Sequence, residues 1–62
     1  MANYLDERAA AELIGCSVAL MRKLRQNGEG PAYYKIGRLV RYAPADIQAY
    51  LDAHRVTPGV GQ

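Results

Sequence analysis

The sequence predicts a mainly α protein with one small two-stranded β-hairpin, in the order helix, helix, hairpin, helix. Three observations carry this. Two short segments with apolar residues at helical spacing are separated by only Gly15-Cys16-Ser17. A strand-favouring run, Ala32 to Tyr42, is broken in its middle by Gly37-Arg38, as a tight turn requires. A third amphipathic stretch opens at Pro44, a residue suited to the first turn of a helix. The 62 residues are enough for one domain, expected over 1–55, with VTPGVGQ at 56–62 as a frayed tail.

The first helix is expected from about Asp6 to Ile14. Asp6 is a suitable N-cap, Ala10, Leu13 and Ile14 share one face, and Gly15 suits the left-handed position after the last turn. The second helix is expected over about 17–27, with Ser17 as N-cap and Asn27-Gly28 as the stop. Leu20, Met21 and Leu24 form its apolar stripe. Val18, Ala19, Arg22, Lys23 and Gln26 fall on the opposite side, with Arg25 at the edge. Asn27 to Pro31 reads as a loop, and the strands as about 33–36 and 39–42. The third helix runs to about His54, with Ile47, Tyr50, Leu51 and His54 on one stripe. A lone hairpin is not stable, so it must lie against the helices. That gives an expected core of Ala10, Leu13, Ile14, Met21, Leu24, Ile36, Val40, Ile47, Tyr50 and Leu51.

Composition narrows the function classes. One cysteine excludes an internal disulfide framework, and one His with one Cys puts a four-ligand zinc site out of reach. There is no long apolar run, so no transmembrane helix is expected. MANYLDER lacks the basic-then-apolar pattern of a secretory signal, which makes a reducing cytoplasm the expected compartment. No nucleophile–base set is evident, so neither enzyme activity nor a cofactor is expected. Cys16 reads as a packed turn residue and His54 as a packed or capping one. Tyr33, Tyr34 and Tyr42 alternate with basic residues, where packing against the helices and stacking on bases are both open.

The net charge of +2 is unevenly spread. Asp6, Glu7 and Glu12 against Arg8 leave residues 1–21 at −2. Arg22, Lys23, Arg25, Lys35, Arg38 and Arg41 against Glu29 leave residues 22–41 at +5. Such a block is a candidate footprint for a polyanion. Two helices joined through a short Gly turn are the pattern of a helix-turn-helix, whose second helix can enter the major groove of DNA. Arg22 and Lys23 suit guanine, Gln26 suits adenine, and Ser17 with the first helical amides suits a phosphate. In the hairpin, Lys35, Arg38 and Arg41 are the polar elements. Arg38, at the turn, is placed to reach the minor groove or its phosphates.

The segment YLDERAAAELIGCSVALMRKLRQNGEGPAYYKIGRLVRYAPADIQAYL resembles the excisionase-like winged helix-turn-helix family, relatives of MerR-type DNA-binding domains. The resemblance covers about residues 4–51. Its telling pieces are Ala10 to Ser17, Gly30-Pro31 leading to Lys35-Ile36-Gly37-Arg38, Val40-Arg41-Tyr42, and Asp46 to Leu51. It implies a recognition helix in the major groove and a wing in the adjacent minor groove of double-stranded DNA. Recognition residues would fall on Ser17, Val18, Ala19, Leu20, Arg22 and Lys23, and the wing residue on Arg38. Members include phage and plasmid recombination directionality factors, which bend attachment-site DNA and bias an integrase toward excision. The implied partners are DNA, neighbouring copies on it and a phage-type integrase, in the nucleoid of a bacterial host cell. Three departures stand out. Ala9 replaces a common Glu, Leu20 a common Thr, and Val18 with Ala19 positions that are often polar, so base reading is expected to rest on Arg22 and Lys23. The long effector or coiled-coil segment of full MerR regulators is not in the sequence, which argues against a metal or drug sensor. Three functions remain open: an excisionase, a small transcriptional regulator of the same fold, and a protein-interaction module with a basic face.

Overall fold

Asp6 starts the first helix by accepting a hydrogen bond from the Ala9 amide at 2.8 Å. In the computed structural model, which describes residues 3–59, helix α1 spans Glu7–Ile14. With Ala at position 9, no side chain returns the bond, so only half of a capping box forms. Gly15 ends the helix at φ 90°, in the left-handed region, and its amide and that of Cys16 both donate to the Ala11 carbonyl. Helix α2 follows at once as Val18–Gln26, capped by Ser17, whose Oγ accepts from the Leu20 amide at 3.0 Å.

Strands β1 (Tyr34–Ile36) and β2 (Leu39–Arg41) form an antiparallel hairpin, pairing Tyr34 with Arg41, Lys35 with Val40 and Ile36 with Leu39. Gly37 has φ 59° and Arg38 does not have positive φ, the signature of a two-residue turn with glycine in its first central position. A paired contact that local sequence does not reveal ties the N-terminal segment to the hairpin. Leu5 and Tyr42 exchange two backbone hydrogen bonds of 2.8 Å. Helix α3, Pro44–Ala53, begins with proline in its first turn and has no side-chain cap. His54 closes it, with its ring against Tyr50 and its Nδ1 at 2.8 Å from the Tyr50 carbonyl. Residues 56–59 form neither helix nor strand and are exposed; 60–62 of the expected tail lie outside the described residues. The arrangement is a winged helix-turn-helix fold.

The core consists of Ala10, Ala11, Met21, Tyr42 and Ile47, with Leu5, Ile14, Cys16, Val18, Val40 and Leu51 packed at its margin. Two expected core residues are therefore corrected. Leu13 is 56% exposed, because Ala10 and Ala11 are the α1 residues that turn inward and Leu13 falls outside their arc. Ile36 is 65% exposed, because its partner is Leu39 and the inward face of the hairpin belongs to Val40. Tyr42 takes the buried aromatic place, while Tyr33 and Tyr34 are 40% and 48% exposed.

Candidate nucleic-acid interface

Met21 is the fully buried residue of α2, and it sets which way the helix faces. At 3.6 residues per turn, Val18 and Arg25 lie on the same side as Met21, three before it and four after. Val18 is accordingly half-buried against the core rather than turned outward, a correction to its expected place on the free face. Ala19, Leu20, Arg22, Lys23 and Gln26 are exposed. Leu20, read as part of the apolar stripe, is 45% exposed and stands with this outer set. Ser17 is exposed at the start of the same helix, and its oxygen is occupied as a cap.

In the wing, Lys35 and Arg38 are exposed. Arg41 is half-buried, and its guanidinium donates to the Val40 carbonyl at 2.8 Å. Between the wing, the start of α1 and α2 runs an open groove of about 350 Å³. Five arginines line it: Arg8, Arg22, Arg25, Arg38 and Arg41. Three of these, Arg22, Arg38 and Arg41, are residues the sequence places in the interface, and the fold gathers them at one opening. Lys23, Gln26 and Lys35 do not line the groove.

Glu7 organises the groove from one wall. Its side chain is 15% exposed and accepts from Arg25 Nε at 2.7 Å, with Arg22 Nε 3.5 Å away. The Tyr42 hydroxyl donates to the same carboxylate at 3.3 Å. Burial alone would raise the Glu7 carboxyl. The hydrogen bond and charge of Arg25, the Tyr42 hydroxyl and the Arg22 charge outweigh it and hold the group below the ordinary carboxylate value. The Glu7 hydrogen bond raises the Arg25 guanidinium in turn. Burial first, then the Glu7 charge, push the Tyr42 phenol up to about 12. Arg25, 19% exposed and 6.0 Å from the Tyr33 ring centre, is thus a structural cation. Arg22 keeps 56% of its side chain exposed.

Two residues of this site are hidden from a reading of the sequence. Arg8 is an isolated cation in an acidic stretch, so a linear charge count hides it. Glu7 is 18 positions from Arg25 and 35 from Tyr42, so no local spacing reveals their contact.

A family model described as a helix-turn-helix domain matches residues 4–55. The chain belongs to the helix-turn-helix domain family. This is a DNA-binding family that includes excisionase-like proteins and is typically non-enzymatic. No curated protein and no solved structure matches the chain significantly. Family membership makes double-stranded DNA the indicated partner of the helix-turn-helix face. Among the described residues no helix is long and apolar enough to cross a membrane, and no group of His, Cys, Asp and Glu has the arrangement of a metal site.

Proposed function

We propose that this helix-turn-helix protein binds double-stranded DNA in a sequence-specific manner, with α2 in the major groove and the hairpin wing in the adjacent minor groove. The observation that carries this reading is the arginine-lined groove, which opens between the wing, the start of α1 and the side of α2 that carries Arg22. A duplex presents a phosphate backbone between its two grooves, and a strip of guanidinium groups between helix and wing is complementary to it. In this reading Arg22, Lys23 and Gln26 meet base edges, and Ala19 and Leu20 give close apolar contact. Ser17, Lys35, Arg38 and Arg41 meet phosphates, and Arg38 enters the minor groove. Val18 supports the helix from below.

The finer role we propose is that of an excisionase, an accessory factor that binds adjacent copies cooperatively on attachment-site DNA, bends it and directs a phage-type integrase toward excision. Membership in a family that includes excisionase-like proteins supports this. The place of action is then the nucleoid of a bacterial host cell.

Two measurements test the reading. Mobility shifts at low and rising salt should show binding that weakens steeply with salt; no binding at low salt would sink DNA recognition and favour a protein partner for the basic face. Footprinting on the DNA around the gene then separates roles. Clustered sites in an attachment arm, with stimulation of excision in an integrase assay, are expected. A single site over a promoter with no such stimulation would assign a transcriptional regulator instead.

A further inference from the structure

The core accounts for only one face of the wing. The pairing of Lys35 with Val40 and Ile36 with Leu39 sends Val40 inward and leaves Tyr34, Ile36, Leu39 and Arg41 on the outer face. Ile36 and Leu39 are 65% and 51% exposed. They are direct cross-strand partners immediately behind the turn, so they form one apolar pair at the tip of the wing. Ile36 borders a small apolar hollow with Tyr4, Tyr34 and Arg41, yet both aliphatic side chains keep more than half of their surface open and neither belongs to the core. Their neighbours are cations: Lys35 precedes Ile36, Arg38 stands in the turn between them, and Arg41 shares their face. Leu39 and Arg38 also border the arginine groove, which makes the pair continuous with the proposed interface. A wholly apolar protein partner would have to cover those charges. A minor groove supplies phosphates for the cations and a base step for the aliphatic pair, the combination that groove-bending proteins use.

We infer that Ile36 and Leu39 form a wedge that enters the minor groove, partly unstacks one base step and bends the duplex. The inference rests on the DNA-binding reading above and adds a task that Arg38 alone does not perform. Attraction of a guanidinium to a narrow groove leaves the bases stacked, whereas an inserted aliphatic pair does not.

The test uses the full chain and a duplex of about 30 base pairs built of TpA steps, which unstack most easily. The duplex carries a 2-aminopurine at the central step, whose fluorescence rises on unstacking, and dyes at both ends to report bending. Binding is followed separately by anisotropy at about 50 mM salt. The wild type should bind, raise the 2-aminopurine signal and bring the ends closer. Ile36→Thr with Leu39→Thr keeps strand-favouring residues at both positions. This variant should bind within roughly tenfold of wild type, a loss no larger than that for trimming a few apolar contacts, yet lose most of the fluorescence rise and most of the bend. Leu13→Ala, which trims an exposed apolar residue remote from the wing, should change neither. A wild type that binds without the fluorescence rise overturns the wedge and leaves DNA binding standing. A double variant that retains the rise overturns it too. Absence of any anisotropy change overturns the DNA-binding reading, and the wedge falls with it.

Discussion

A carboxylate with only 15% of its side chain exposed is costly to ionise unless cations face it, and Glu7 has Arg25 at 2.7 Å and Arg22 at 3.5 Å. Its folded-state pKa is lowered, so the stability it contributes is present above the unfolded carboxylate value and is lost as pH falls through the folded one. We predict that the wild type's resistance to denaturant falls from about pH 5 downward, and that Glu7→Gln removes part of this acid limb. The same variant should lose about 1–3 kcal/mol at neutral pH, because Arg25 is left without its counter-charge in a half-buried place. Equal unfolding curves for wild type and variant at pH 7 would show the cluster to be incidental. Tyr42 works with the opposite sign. Its phenol is pushed up to about 12, so its contribution is complete below the ordinary tyrosine value of about 10 and is lost between there and about pH 12. Tyr42→Phe should flatten that alkaline limb. On the DNA side, Arg22→Ala and Lys23→Ala should each cost about 1–3 kcal/mol of binding and relax sequence preference, whereas Arg38→Ala should weaken all sequences alike. Mobility shifts on a set of duplexes distinguish the two patterns, and negligible effects at all three positions would displace the interface from this face.

At the scale of elements, the helices are the most legible part of the chain. Asp6, Gly15 and Ser17 each act through their own backbone neighbours, so their caps are visible in local sequence and stand where local rules place them. The facing of α2 is less legible. Val18 and Leu20 are both apolar and differ only in which side of Met21 they fall, and tertiary packing against the core cluster decides in favour of Val18. For the wing, the turn already holds the answer. Once Gly37-Arg38 is the two-residue loop, Ile36 must pair with Leu39 and Lys35 with Val40, so Ile36 and Val40 cannot both face the core. The wing thus depends on Gly37, whose φ of 59° suits few other residues. Gly37→Val should destabilise the hairpin by about 1 kcal/mol or more and weaken DNA binding by displacing Arg38 from the groove edge. A thermal melt paired with a mobility shift checks both, and a variant with unchanged melt and affinity would show the wing to be dispensable. In α2, Ser17→Ala should cost about 1 kcal/mol through the lost cap.

Taken whole, the molecule turns a weak overall charge into a directional one. The formal net charge is only +2, and long-range attraction to a polyanion would be slight if it were evenly spread. Folding instead carries Arg8 from the acidic N-terminal segment to the groove that Arg22, Arg38 and Arg41 line, while Glu7 holds Arg25 back as a structural partner. Charge counts along the chain do not show this, because the regrouping depends on contacts between distant residues. It does set a number that titration can read. Each cation that neutralises a phosphate releases counterion, so the logarithm of the binding constant falls with that of the salt concentration by about 0.9 per contact. If Arg8, Lys35, Arg38 and Arg41 meet phosphates, while Arg22 reads bases and Arg25 stays with Glu7, the slope should lie at about −3 to −4. Arg8→Ala should make it shallower by about one, as should Lys35→Ala. Arg25→Met, which removes the charge but keeps an unbranched side chain, should leave the slope nearly unchanged while lowering the melting temperature, since it strips Glu7 of its closest partner. Binding isotherms at four or more salt concentrations for these variants make the division visible. A slope that moves as much for Arg25→Met as for Arg8→Ala would mean that the Glu7 pair opens on DNA and that all five groove arginines serve as contacts.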